Sequence, residues 1–158
     1  MTQQEIEQRF FKSLKSDRTI LIGTKKAPPR PMTALLEDDA PRGPLWIFTT
    51  RDSELLEGGA PLIDAVATFA SKGHDTFATL TGSLEISDDR AVVDKLWNPF
   101  VAAWFEGGKD DPKLALLRFN LDSAEIWTDA SSLIAGVKIL IGVDPKADYR
   151  EKVASVTF

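Results

Sequence analysis

The sequence predicts an α+β fold: about six short antiparallel strands curled into a small barrel, with helices at its periphery. Short runs rich in β-branched and aromatic residues, such as Thr19–Thr24 and Leu45–Thr50, are separated by clusters of proline, glycine and aspartate. Residues 76–86 alternate apolar and small polar side chains with the period of a half-buried strand. Helical spacing of apolar residues is confined to the N-terminus, the middle of the chain after Ser87, and the tail after Ser131.

Thr2-Gln3-Gln4-Glu5 has the form of a capping box, and Ile6, Phe10 and Leu14 follow at helical spacing. An amphipathic helix is expected there, its apolar stripe covering one barrel opening. Thr19–Thr24 suits a buried strand, and a turn over residues 25–29 leads into an extended segment, residues 30–37. An acidic connector dense in turn formers, residues 38–44, separates it from residues 45–53. These two extended segments are expected to be neighbouring antiparallel strands. Residues 54–57 can wind into one or two helical turns ended by Gly58-Gly59, before a strand over residues 62–70 and a hairpin turn over residues 71–75. In the strand over residues 76–86, Phe77, Thr79 and Thr81 share one face, and Ala78, Leu80 and Gly82 the other.

Ser87 is expected to cap a helix with Asp88 and Asp89 in its first turn, where carboxylates suit the dipole, and with Val92, Val93, Leu96 and Trp97 on its buried face. Pro99 interrupts it. A short helix over residues 101–105, a break at Gly107-Gly108 and one or two strands over residues 114–119 and 124–128 follow. Leu133, Val137, Leu140 and Ile141 then predict a helix over residues 131–142.

With prolines and glycines scattered among short connections and no linker in sight, residues 1–158 read as one domain. Nineteen Lys and Arg against 24 Asp and Glu leave a net charge of −5, which repels a polyphosphate backbone and argues against nucleic acid as a partner. The absence of cysteine excludes disulfides, thiolate-bound zinc, iron–sulfur clusters and thiol catalysis. The single histidine, His74, lies in a turn, so neither a two-histidine metal site nor an ordinary catalytic triad can be assembled. The N-terminus lacks the basic region and apolar run of a secretory signal, and no membrane-length apolar run occurs, so a cytoplasmic protein without a membrane partner is expected.

Anion-binding chemistry concentrates in residues 30–53. Thr49, Thr50 and Ser53 put hydroxyls at a strand end beside Arg51, and Arg30 opens the segment expected alongside, a donor set that suits a phosphate. Plainer readings stand beside it: Arg30 as a solvated strand-end arginine, Ser53 as an N-cap, and Pro31, Met32 and Thr33 as packing residues. Trp46 and Phe48 read as packing by alternation. Trp97, Trp104 and Phe105 read as a core or interface cluster, with a cleft wall as the alternative. Asp110-Asp111 are adjacent carboxylates without further ligands, so no metal site is expected. Nucleophile-elbow, phosphate-loop and dinucleotide glycine motifs are absent, and no catalytic acid or base stands out.

These stretches, together with Gly82-Ser83-Leu84-Glu85, Leu96-Trp97-Asn98-Pro99-Phe100, residues 104–112 with their diglycine, Leu116-Leu117-Arg118-Phe119 and Glu125-Ile126-Trp127, resemble the FMN-binding split-barrel superfamily that includes pyridoxamine 5'-phosphate oxidase, and most closely its bacterial general stress protein branch. The resemblance covers roughly residues 5–130. It implies a six-stranded antiparallel split β-barrel of Greek-key type, homodimeric, with FMN at the subunit interface. Arg30 would contact the phosphate or pyrimidine ring, and Pro31, Met32 and Thr33 would run beside the isoalloxazine. Thr49 and Thr50 would donate to ring or phosphate, Ser53 would meet the phosphate, and Trp127 would meet the flavin across the dimer, with a core tryptophan on the last strand as its plainer reading.

Two departures qualify that picture. Glu54-Leu55 stand where the family supplies a lysine, adding repulsion to the phosphate cradle. After Trp127 the chain reads Thr128-Asp129-Ala130-Ser131-Ser132-Leu133 in place of the oxidase's Arg-Leu-His-like motif, so pyridoxamine phosphate oxidase activity itself is not expected. Flavin-dependent electron or hydride transfer on a small-molecule substrate, with a stress-response role, is the implied function. A non-enzymatic flavin-binding or sensing protein, or a dimeric barrel that has lost its cofactor, is the alternative.

Overall fold

A computed structural model of the chain describes residues 1–128 and 152–158, so the helix expected over residues 131–142 lies outside the described residues. Helix α1 (Gln3–Asp17) opens on the capping box read from the sequence: the Glu5 amide donates to Thr2 Oγ1 at 3.1 Å, and the Thr2 amide donates to Glu5 Oε2 at 3.2 Å. Its stripe Ile6, Phe10, Phe11 and Leu14 is buried. Each of these side chains contributes about 1.5–3 kcal/mol on leaving water. The helix packs against β5 (Thr76–Ser87), β6 (Leu114–Thr128) and β7 (Val153–Thr157), with Phe10 edge-on to Phe69.

The remaining strands are β1 (Thr19–Thr24), β2 (Arg30–Thr33), β3 (Leu45–Thr50) and β4 (Ile63–Ala70). All pairing is antiparallel, in the order β2-β1-β4-β5-β6-β3, with β7 added to β6. The described strands therefore number seven, not six, because residues 153–157 pair with residues 123–127. The one or two strands expected over residues 114–119 and 124–128 are one strand of 15 residues. Its polar middle is accommodated by a bulge: Thr81 faces Ser123 and Gly82 faces Leu121, leaving Asp122 out of register.

The expected ladder between residues 30–37 and 45–53 does not form. β2 pairs with β1 and β3 with β6, and the two segments meet only at the bridge Leu35↔Trp46, which joins the ends of the sheet path. The reason lies in what each partner offers. β6 gives β3 the apolar run Leu114 to Leu117 and Phe119, all buried, whereas β2 is four residues long and includes Pro31, which has no N–H.

Helix α2 (Arg90–Leu96) is capped by Asp89, whose carboxylate accepts from the Val92 amide, and not by Ser87, whose Oγ instead accepts from the Asp89 amide. Helix α3 (Pro99–Ala102) starts two residues earlier than expected: Pro99 takes the first helical position and Asn98 Oδ1 accepts from the Phe100 and Val101 amides at 3.0 and 3.1 Å. These short helices pack Val92, Val93 and Phe105 against Leu35, Trp46, Leu114 and Leu116, forming a second core beside the barrel interior. No helix among the described residues is long and apolar enough to cross a membrane.

Candidate functional site

Because β2 and β3 meet only at Leu35↔Trp46, they part from that bridge and leave a cleft between them. Its volume is about 730 Å³. One wall is Pro31, Met32 and Thr33 of β2, and the other is Phe48, Thr49 and Thr50 of β3. Phe48 is held by Trp97, which meets it edge-on at 5.8 Å. The floor and rim come from the α1–β1 corner at Asp17 to Thr19 and from Asn98, Phe100, Val101, Trp104 and Phe105.

Beyond the cleft, the two strands are tied again by an ion pair from Arg30 Nη2 to Glu54 Oε2. Glu54 opens a 3-10 turn (Glu54–Leu56) fixed from both sides. Ser53 donates its amide to the Thr50 carbonyl at 3.1 Å and accepts from the Leu55 amide on its Oγ at 3.3 Å, while the Leu55 side chain is fully buried. Lys26, in the β1–β2 turn, lies against the same loop: a Cβ at Gly58 would stand 2.4 Å from its Nζ, and Gly58 has φ +93°.

The structure thus brings Pro31, Met32, Thr33, Thr49 and Thr50 to one cavity and sets Arg30 and Ser53 just past its end. Trp127 is not with them. Thr49 pairs with Ala115 at one end of β6, and Trp127 pairs with Phe77 and Val153 near the other. Arg51 is exposed, and Lys72 belongs to the β4–β5 hairpin, where its amide donates to Asp17 Oδ2 at 2.8 Å.

Sequence reading missed the cleft contributions of Arg18 and Phe100, whereas Trp104 and Phe105 line the cleft as in the alternative reading of their aromatic cluster. Arg18 carries no local signal for a ligand wall; it ends α1 in the left-handed conformation, φ 65°, with its amide donating to the Leu14 carbonyl at 2.7 Å. Trp104 does not join the expected aromatic cluster, for Trp97 and Phe105 pack together while Trp104 is 84% exposed and Phe100 80%. Asp110 pairs with Arg90, and among the described residues no cluster of three or more His, Asp or Glu is arranged for a metal.

Arg30 provides the test of whether a phosphate-bearing ligand suits this site. Its Nε is buried and has no hydrogen-bond partner among the described residues, so the guanidinium keeps an unsatisfied donor just past the end of the cleft. The donor set fits an anionic group, with the Glu54 carboxylate the discordant element.

The family model described as pyridoxamine 5'-phosphate oxidase like matches residues 5–148. A general stress FMN/FAD-binding protein from Xanthomonas citri is 48% identical, covering 82% of this chain and 92% of that one, with a TM-score of 0.75. A general stress protein 26-like structure from Jannaschia sp. CCS1 is 30% identical over 99% of this chain and all of the other, with a TM-score of 0.81. General stress protein 26 of Bacillus subtilis is 26% identical over 127 residues, 76% of this chain and 86% of that protein. A shorter match spans 37% of the length of the Neurospora crassa protein bli-3.

Proposed function

The chain belongs to the pyridoxamine 5'-phosphate oxidase-like family, and from that premise we propose that the β2–β3 cleft holds a flavin, FMN, for electron or hydride transfer with a small-molecule redox substrate. The observation that carries this reading is Arg30 with a spare buried donor beside a slot of about 730 Å³. Small-molecule and cofactor sites run from roughly 300 to 1,000 Å³, mostly apolar with a few fixed polar groups. The flavin ring supplies the redox chemistry when bound.

The chain's own residues bind and orient. Arg30 takes the phosphate through its guanidinium fork. Thr49 and Thr50 offer hydroxyls along one wall. Pro31, Met32 and Thr33 flank the ring on the other. Ser53 already accepts from the Leu55 amide and keeps its hydroxyl proton to donate. Trp127 is not among the residues that line this cleft, and the contact across the dimer that the family resemblance implies would bring it to the flavin from a second copy of the chain. A homodimer is therefore part of the proposal, and exposed Phe100 and Trp104 on the cleft rim give the second copy an apolar footing.

A second reading, a flavin-binding or sensing protein without turnover, is favoured by the Arg30–Glu54 pair, which engages the group a cofactor phosphate needs. The visible spectrum of the purified protein, FMN titration with fluorescence quenching, and oxidation of a reduced nicotinamide in the presence of FMN test both. A yellow protein or saturable micromolar binding, about −8 kcal/mol, supports the flavin cleft, and steady nicotinamide oxidation selects the first reading. Binding without turnover selects the second. No flavin binding overturns both and leaves a barrel that serves as an interaction module.

A further inference from the structure

Glu54 does more than dilute a basic site. Arg30 Nε and Nη2 form one edge of the guanidinium, the edge that grips two oxygens of a carboxylate or phosphate side-on. Glu54 engages that edge by one atom: Oε2 pairs with Nη2, while Nε stays buried and unpartnered among the described residues. The fork is half used.

The two halves of Glu54 differ in freedom. Its backbone is fixed by the bonds of Ser53 and by fully buried Leu55 next in sequence, yet its own side chain is 63% exposed, and exposed ion pairs hold weakly. The carboxylate can therefore swing off Arg30 into solvent without moving the turn. Its charge remains near the guanidinium when it does so.

Resting on the flavin reading of the cleft, we infer that Glu54 is a resident competitor for the anionic end of the ligand and determines its specificity. A flavin whose ribityl chain ends in a phosphate must displace Glu54 from Arg30 and then sit beside its charge. An unphosphorylated flavin meets neither cost. This chain consequently discriminates little between FMN and riboflavin, and Arg30 becomes a strong phosphate ligand only when Glu54 is neutralised.

The test titrates FMN and riboflavin, by flavin fluorescence quenching, into the wild-type protein, Glu54→Gln, Glu54→Ala and the double variant Glu54→Gln/Arg30→Ala. In parallel, the thermal midpoint of each is read with and without inorganic phosphate. The wild type is expected to bind the two flavins within about threefold of each other, and Glu54→Gln to tighten FMN about tenfold while leaving riboflavin unchanged. Glu54→Ala should behave alike, and the double variant should lose the gain. Phosphate should raise the midpoint of Glu54→Gln more than that of the wild type, again only with Arg30 present.

An equal gain for riboflavin, no gain for FMN, or a gain that survives in the double variant overturns the inference. If neither flavin binds any variant while phosphate still stabilises Glu54→Gln through Arg30, the flavin reading fails and the competitor role of Glu54 stands. If neither FMN nor phosphate responds to Glu54→Gln, the competitor role fails, whether or not the wild type binds flavin.

Discussion

The β4–β5–β6 half of the sheet and the β2–β3 half are built in opposite ways. In the first, pairing runs from Ile63↔Leu84 to Ala70↔Phe77 and, broken only by the bulge at Asp122, from Thr76↔Thr128 to Ser87↔Leu116, and the alternating inward residues Ala65, Ala67, Phe69, Ala78, Leu80 and Leu84 are buried. In the second, two strands meet at one bridge and one ion pair with a cleft between. Backbone groups committed to a ladder hold the fold together, whereas strand edges that face a cleft are open to a ligand. Stability and binding should therefore respond to different mutations.

The largest stability effect is expected in the ladder half. A Cβ at Gly82 would lie 2.0 Å from the Asn120 carbonyl oxygen and 2.9 Å from Phe119 Cε1, at the bulge between β5 and β6. Gly82→Ala should destabilise by about 3 kcal/mol in chemical denaturation; a variant as stable as the wild type would show that this ladder is not the source of stability. Trp46 belongs to both halves, since it forms the bridge to Leu35 and its indole N–H donates to Glu37 Oε1 at 3.0 Å. Trp46→Phe should cost about 1 kcal/mol, with a modest loss of flavin affinity.

Arg30→Ala sharpens the contrast from the other side. The ion pair it removes is exposed on its Glu54 side, so stability should stay within about 0.5 kcal/mol of the parent, while FMN affinity falls about tenfold when the change is made in Glu54→Gln, where the guanidinium is released to a phosphate. Equal losses in both would merge the two halves. The smallest effect is a pH dependence away from both. The Asp111 carboxylate accepts from the Lys113 and Gly107 amides, and these bonds hold it below its ordinary 3.8. A depressed carboxyl adds stability that is present above the ordinary value and is lost as pH falls through the folded one. Asp111→Asn should therefore flatten the stability profile slightly at the acid end only, as thermal midpoints taken across that range would show.

Much of the ladder half was legible in the sequence because local period decides it. The capping box and Ile6, Phe10, Leu14 spacing mark α1, the two-residue alternation marks β5, and the Gly58-Gly59 break and the hairpin turn over residues 71–75 bracket β4. β6 read as one or two strands because Asn120, Asp122 and Ser123 interrupt its apolar run; only the partner strand reveals that the interruption is a bulge. The end of α2 was clear from Pro99, yet its start was misjudged, since Ser87 and Asp89 are both good caps and only the backbone decides between them.

The cleft was legible in its residues and not in its topology. Thr49 and Thr50 were singled out by residue type, Pro31, Met32 and Thr33 only through the family resemblance, and adjacency in sequence suggested that their strands pair. That pairing is a competition between strands remote in the chain, and β6 takes β3. The Arg30–Glu54 pair spans 24 positions, so the sequence marked Glu54 as a departure without showing that its carboxylate reaches the arginine. Arg18 enters the cleft through the end of a helix, where no period announces a direction.

Amide hydrogen exchange with and without FMN tests the division between the two halves most directly. New protection is predicted in residues 30–33 and 48–54, with residues 63–70 and 76–87 already protected and unchanged. Protection appearing instead in α1 and residues 36–42, which line a separate groove, or spread evenly over the ladder, would contradict the account.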